Sequence, residues 1–165
     1  MRKLIAVSGS NSGDENLTEL SLKMAEEVGY YIAQKGGILI CGGKGGIMEA
    51  SARGAKRGGG LTIGILPGSK EEANRFIDIA LSTHLGYFRN YVMISSADAV
   101  IAITGRWGTL NEVSLAISLG KPTILLKGTG GWVDILSDEE ISRKFKRKAY
   151  VVCSAKEAVE LAFKS

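Results

Sequence analysis

The sequence predicts an α/β fold, a Rossmann-like three-layer sandwich around a mostly parallel sheet of about seven strands. Short apolar runs recur along the chain, segments of helical period separate them, and glycines gather where one gives way to the next. The runs stand at Leu4 to Val7, Ile38 to Cys41, Leu61 to Leu66, Ile77 to Leu81, Ala99 to Ile103, Thr123 to Leu126 and Tyr150 to Cys153. Most are continuous in β-branched residues rather than alternating, as strands buried on both faces should be. Helical patterns fall between them at Leu17 to Gln34, Ile47 to Arg57, Leu85 to Ser96, Thr109 to Leu119 and Ala155 to Phe163, the third with a core face of Leu85, Phe88 and Val92. Strand and helix in alternation imply parallel neighbours joined by crossovers. Gly128 to Lys148 breaks this rhythm; Gly130, Gly131 and Trp132 read as a loop before a basic helix.

A chain of 165 residues suits one domain, residues 1–165, with a core that needs no staples. The 22 glycines are about twice the usual share of ~7%, which points to tight turns and close backbone approach. The net charge of +4 favours an anionic ligand, but much of the excess lies in the run Arg143, Lys144, Lys146, Arg147, Lys148. That run reads as a solvated helix face, because no aromatic interleaving accompanies it, so nucleic acid is not the expected partner. Cys41 and Cys153 are too far apart for a zinc-ligand or disulfide pattern, which suggests a reducing compartment. No signal peptide or membrane span is apparent, so a cytoplasmic location is expected. The single histidine, His84, cannot build a metal cluster, and no metal site is expected.

In open sheets of this kind, ligands sit beyond the strand carboxyl ends, where strand order reverses. The loops to inspect follow Val7, Cys41, Leu66 and Ile103. The first, with Ser8, Gly9, Ser10 and Asn11, offers hydroxyls and backbone donors, or simply a solvated turn. The second, Gly42, Gly43, Lys44, Gly45 and Gly46, leads straight into a helix. Glycines there let amides approach a phosphate at the positive end of the helix dipole, or let helix and sheet pack closely. The turn ends in neither GKS nor GKT, so it is not a P-loop. The last loop runs Thr104, Gly105, Arg106, Trp107, Gly108, Thr109, Leu110, Asn111, Glu112. Thr109 and Glu112 stand at capping-box spacing, as do Ser154 and Glu157, so Glu112 is either a cap or a group aimed at a ligand. Arg89 lies on the flank of its helix, where it reaches over a neighbouring loop or snorkels into solvent.

Taken together these loops resemble the LONELY GUY (LOG) and molybdenum-cofactor-carrier superfamily, over nearly the whole chain. The LOG signature PGGxGTxxE is matched from Thr104 to Glu112, with Thr104 in place of proline and Arg106 in place of the second glycine. The family's Arg-Lys pair falls at Arg89 and Asn90, with Asn90 in place of the lysine; its GGGxxGLMG turn is matched by Gly42 to Met48 and Glu49, and its first-strand CGS by Ser8, Gly9 and Ser10. The Arg-Asn pair is closer to the carrier branch. The resemblance implies a small phosphorylated, nucleotide-like ligand held by Gly9, Ser10, Gly42, Gly43, Gly45, Gly46, Met48, Gly105, Arg106, Gly108 and Thr109. It implies either a nucleoside 5′-monophosphate phosphoribohydrolase, the first expectation, or a non-catalytic carrier of molybdenum cofactor or nucleotide-binding protein. In the hydrolase, which requires no cofactor, Glu112 would stabilise positive charge at the ribose or activate water, and Arg89 would hold the ligand. It also implies a homodimer or higher homo-oligomer, with the site near the interface in LOG enzymes.

Overall fold

A computed structural model describes residues 1–146 and 149–164. The described chain runs β1 (Leu4–Gly9), α1 (Glu19–Gln34), β2 (Ile38–Cys41), α2 (Ile47–Arg57), β3 (Leu61–Leu66), β4 (Ile79–Ser82), α3 (Arg89–Ser96), β5 (Ala99–Ile103), α4 (Trp107–Ser118), β6 (Thr123–Leu126), α5 (Gly131–Leu136), α6 (Glu139–Phe145), β7 (Tyr150–Val152) and α7 (Ala155–Lys164). The seven strands form one sheet in the order β4-β3-β2-β1-β5-β6-β7, every neighbouring pair parallel. The α/β Rossmann-like expectation therefore holds.

Burial follows the sequence pattern. All of β5 and β6 is buried, as is the middle of β1, because helices cover both faces. One side of the sheet packs Ile5, Val7, Ile101 and Ile103 against α1, α2 and α7; the other packs Ala6, Ile40 and Val100 against Met93 and Ile94 of α3. The helices α1 and α2 cross at Gly29 and Gly54, where a methyl on either glycine would collide with the backbone of the opposite helix at Ser51 or Glu26. Glycine is the only residue that permits so close a crossing. Thr18 and Ser21 form a reciprocal cap at the start of α1.

Three expectations shift. The fourth strand begins at Ile79, not Ile77, and as an edge strand it is mostly exposed rather than covered on both faces. The third helix begins at Arg89, because residues 86–88 form a 3-10 turn with Gly86 at φ 54°. Leu85 and Phe88 are consequently exposed, and the core face belongs to Asn90, Met93 and Ile94. The irregular stretch holds two short helices: α5 covers Trp132, and α6 is capped by Asp138, which accepts from the amides of Glu140 and Ile141. The basic helix thus starts at Glu139 and ends at Lys146 in a left-handed turn; Arg147 and Lys148 lie outside the described residues.

Candidate functional site

Strand order decides where the site forms. From β1 the chain moves outward through β2, β3 and β4, then crosses back to place β5 on the other flank of β1. The loops after β1 and β5 therefore diverge, and a cleft of about 590 Å³ opens between them. Residues from all four loops named in the sequence line it: Ser10 after β1, Gly42 after β2, Pro67 after β3 and Gly108 after β5.

The glycine turn after β2 has three of its amides occupied. Gly45 N–H donates to Asn11 Oδ1 (3.0 Å), Ile47 N–H to Ser10 O (2.9 Å) and Gly43 N–H to Cys41 Sγ (3.4 Å). Gly43, Gly45 and Gly46 do not line the cleft; side chains there would strike Leu66, Ser12 and the Ser10 carbonyl. Their absent side chains serve loop packing, whereas Gly42 and Met48 face the cleft. Burial pushes the Cys41 thiol up to about 11, so it is not a nucleophile at neutral pH.

The start of α4 differs. Its first residues are Trp107, Gly108 and Thr109, the preceding Arg106 supplies no side-chain cap, and among the described residues no acceptor meets these three amides. Gly108 lines the cleft, with open space where a side chain would be. Gly105 lies behind it, packed on Thr109 and accepting from Trp132 N–H (2.9 Å). That bond sets Trp132 against Trp107, with ring centroids 5.1 Å apart. Thr104, where the LOG signature has proline, holds φ at 50° and donates its N–H to Thr129 Oγ1 (2.8 Å). Proline can do neither.

Because α4 begins at Trp107, Glu112 lies in its second turn and no Thr109–Glu112 capping box forms. Its carboxylate is instead buried on the cleft floor, accepting from the Ser8 hydroxyl. Burial raises its pKa above the usual carboxylate range, although the charge of Arg89 and the Ser8 bond oppose the rise. Arg89 does not snorkel into solvent. It folds over Gly42, in the space a side chain there would need, and donates to Ile65 O (3.0 Å). Asn90, beside it, is buried and donates to Asn111 Oδ1 (2.9 Å).

Among the lining residues for which the sequence suggested no site role are Lys44, Asp14, Tyr87 and Trp107. Lys44 is ion-paired with Glu72 at 2.9 Å. Tyr87 and Trp107 are largely exposed on the rim, and Asp14 belongs to no recognisable motif. The tyrosine was hidden by the helical period assigned to its segment, and the tryptophan stands at the variable position of the signature.

A family model described as the SLOG cluster4 family matches residues 2–161. The chain belongs to the SLOG cluster4 family. Among curated proteins, this SLOG chain is 30% identical over 155 residues to a cytokinin riboside 5′-monophosphate phosphoribohydrolase of Mycobacterium tuberculosis, covering 84% of this chain and 83% of that one. Among solved structures, a molybdenum cofactor binding protein from Rippkaea orientalis superposes with a TM-score of 0.89 at 36% identity, covering 99% of this chain and 97% of its own. The molybdenum cofactor carrier protein of Chlamydomonas reinhardtii gives 0.84 at 30%, covering 99% and 98%.

Proposed function

We propose that this SLOG protein binds a phosphorylated, ring-bearing small molecule with its phosphate against the start of α4, and that it serves as a carrier of a molybdenum cofactor-like pterin. The observation that carries the phosphate is the group of unsatisfied amides at Trp107, Gly108 and Thr109, beside the Arg106 guanidinium at the cleft. Asn90 supports the carrier branch: where LOG hydrolases place a lysine, this chain buries a neutral amide. The high similarity to carriers over nearly their whole length supports it further. On this reading the molybdenum-bearing pterin is cargo, and the protein supplies shape, charge and shelter.

A second reading is favoured by Glu112. A buried carboxylate with a raised pKa on a cleft floor has the character of a proton-transfer group or a partner for a developing oxocarbenium, as N-glycosidic hydrolysis requires. One experiment separates the two. Denatured, oxidised extracts of the purified protein are chromatographed for fluorescent pterin, and the protein is incubated with each common nucleoside monophosphate to detect free base. The carrier reading predicts pterin in the extract and no base released; turnover of any monophosphate without bound pterin replaces it with hydrolysis.

Exposed Leu85, Tyr87, Phe88 and Tyr91 gather on the 3-10 turn and the start of α3, and Tyr87 also lines the cleft. A second copy of the chain is the occupant proposed for this apolar surface, which puts a dimer interface beside the site.

A further inference from the structure

The turn that enters α4 is bent against its own preference. Thr104 (φ 50°) and Gly105 (φ 112°) stand in succession in the left-handed half of backbone space, a region that a residue branched at Cβ rarely enters. These two residues set the angle at which the chain leaves β5 for α4, and with it the direction of the Trp107, Gly108 and Thr109 amides. Arg106, which follows them, adds no side-chain cap.

The support comes from the loop after β6. Thr129 is buried, and its hydroxyl donates to Leu126 O (2.7 Å) while accepting from the Thr104 N–H (2.8 Å). A side chain at Gly131 would strike the peptide that joins Thr104 to Gly105, so the two loops meet backbone to backbone, and the Trp132 N–H donates to Gly105 O (2.9 Å). The supporting loop is itself tied down from α5. Asp134 Oδ1 accepts from the Gly128 N–H (2.7 Å) and Oδ2 from the Gly130 N–H (3.0 Å), the amides on either side of Thr129. A chain of hydrogen bonds thus runs from Asp134 around Thr129 to Thr104 and ends beside the uncapped amides of α4. None of Thr129, Trp132 and Asp134 lines the cleft. The Thr129 hydroxyl receives an N–H that the proline of the LOG signature lacks, so the pair belongs to this chain's own version of the turn.

We propose that Thr129 and Asp134 are positioning residues for the phosphate: they hold the entry to α4 in the shape that aims three amides at one anion, and they do so without touching the ligand. Donors that must converge on one group work only when their supports fix them to within about 0.5 Å. This rests on the phosphate-anchored reading of the cleft and adds how the anchor is built. The competing role for the same bonds is to cap α5 and stabilise the fold, with no bearing on the ligand.

The test is calorimetric titration of the full chain with GMP and guanosine, repeated on Asp134→Asn, Thr129→Val and Thr129→Ser, each at a temperature where circular dichroism shows it folded. Asparagine keeps the shape of Asp134 but offers one acceptor for two N–H groups; valine keeps the branching of Thr129 and leaves the Thr104 N–H without an acceptor; serine keeps the hydroxyl. Asp134→Asn and Thr129→Val should each weaken GMP about tenfold or more, as loss of a supporting hydrogen bond does at other preorganised sites, and leave guanosine within about twofold of wild type. Thr129→Ser should keep GMP within about threefold of wild type. A lowered melting temperature with the GMP preference intact, or equal weakening of both compounds, overturns the proposal and leaves the phosphate reading standing. Wild-type protein that binds GMP no better than guanosine overturns both. Should Thr129→Val fail to fold, Asp134→Asn decides, since Asp134 lies nearer the surface.

Discussion

Glu112 is held where its charge costs stability. With its folded pKa raised above the unfolded value, the folded state takes up a proton more readily than the unfolded chain. The stability this provides is fully present below about pH 4.5 and is lost as pH rises through the folded pKa. Glu112→Gln removes that loss while keeping a partner for Ser8, so the variant should melt a few degrees higher at pH 7–8, with the gain vanishing below about pH 4.5. Melting curves across pH 4–8 check it; a constant loss at every pH would mean that the residue works as a cap after all. Thr104 makes a second case. Its φ of 50° is strained for a β-branched residue, and its N–H is bonded, so Thr104→Pro should destabilise by about 3 kcal/mol or more in urea unfolding, although the family signature has proline there.

At the scale of elements, the crossing of α1 and α2 is the tightest constraint the sequence imposes. Gly54→Ala puts a methyl into the Glu26 carbonyl of α1 and should lower stability by at least ~1–3 kcal/mol with an unchanged denaturant slope, whereas Ala in place of an uncrowded helical glycine would stabilise. The strands were legible because unbroken β-branched runs have few other places to go than a buried parallel sheet. Where that signal thinned, so did the reading: Leu85, Phe88 and Val92 fit a helical period, but Gly86 turns the chain first and leaves Leu85 and Phe88 in solvent. The start of α4 was placed two residues late because Thr109 stands at capping-box spacing from Glu112. That error mattered, since it left Glu112 readable as a cap, where it would be bland, whereas the observed start puts it on the cleft floor.

For the molecule as a whole, the four loops that meet at the cleft could be named from the sequence, because strand alternation and glycine placement fix which ends of the sheet face a ligand. The division of labour among them could not. Both glycine turns looked equally fit for phosphate until the Gly45 and Ile47 amides proved to be bonded to Asn11 and Ser10. The apolar surface at Tyr87 and Phe88 depends in turn on a 3-10 segment that periodicity concealed. On the dimer proposed for this surface, the wild-type protein should sediment as a dimer and Phe88→Glu as a monomer, with the fold retained in circular dichroism. The central claim, that the start of α4 anchors a phosphate, is tested most directly by titrating the wild-type protein and Gly108→Val with GMP and guanosine. The variant's side chain meets open space within the protein and so intrudes only on the ligand. The account predicts that GMP binds about 100-fold tighter than guanosine, as two or more charge-assisted bonds would give, and that Gly108→Val removes most of that difference. Equal affinity for both compounds, or a GMP preference untouched by Gly108→Val, would contradict it.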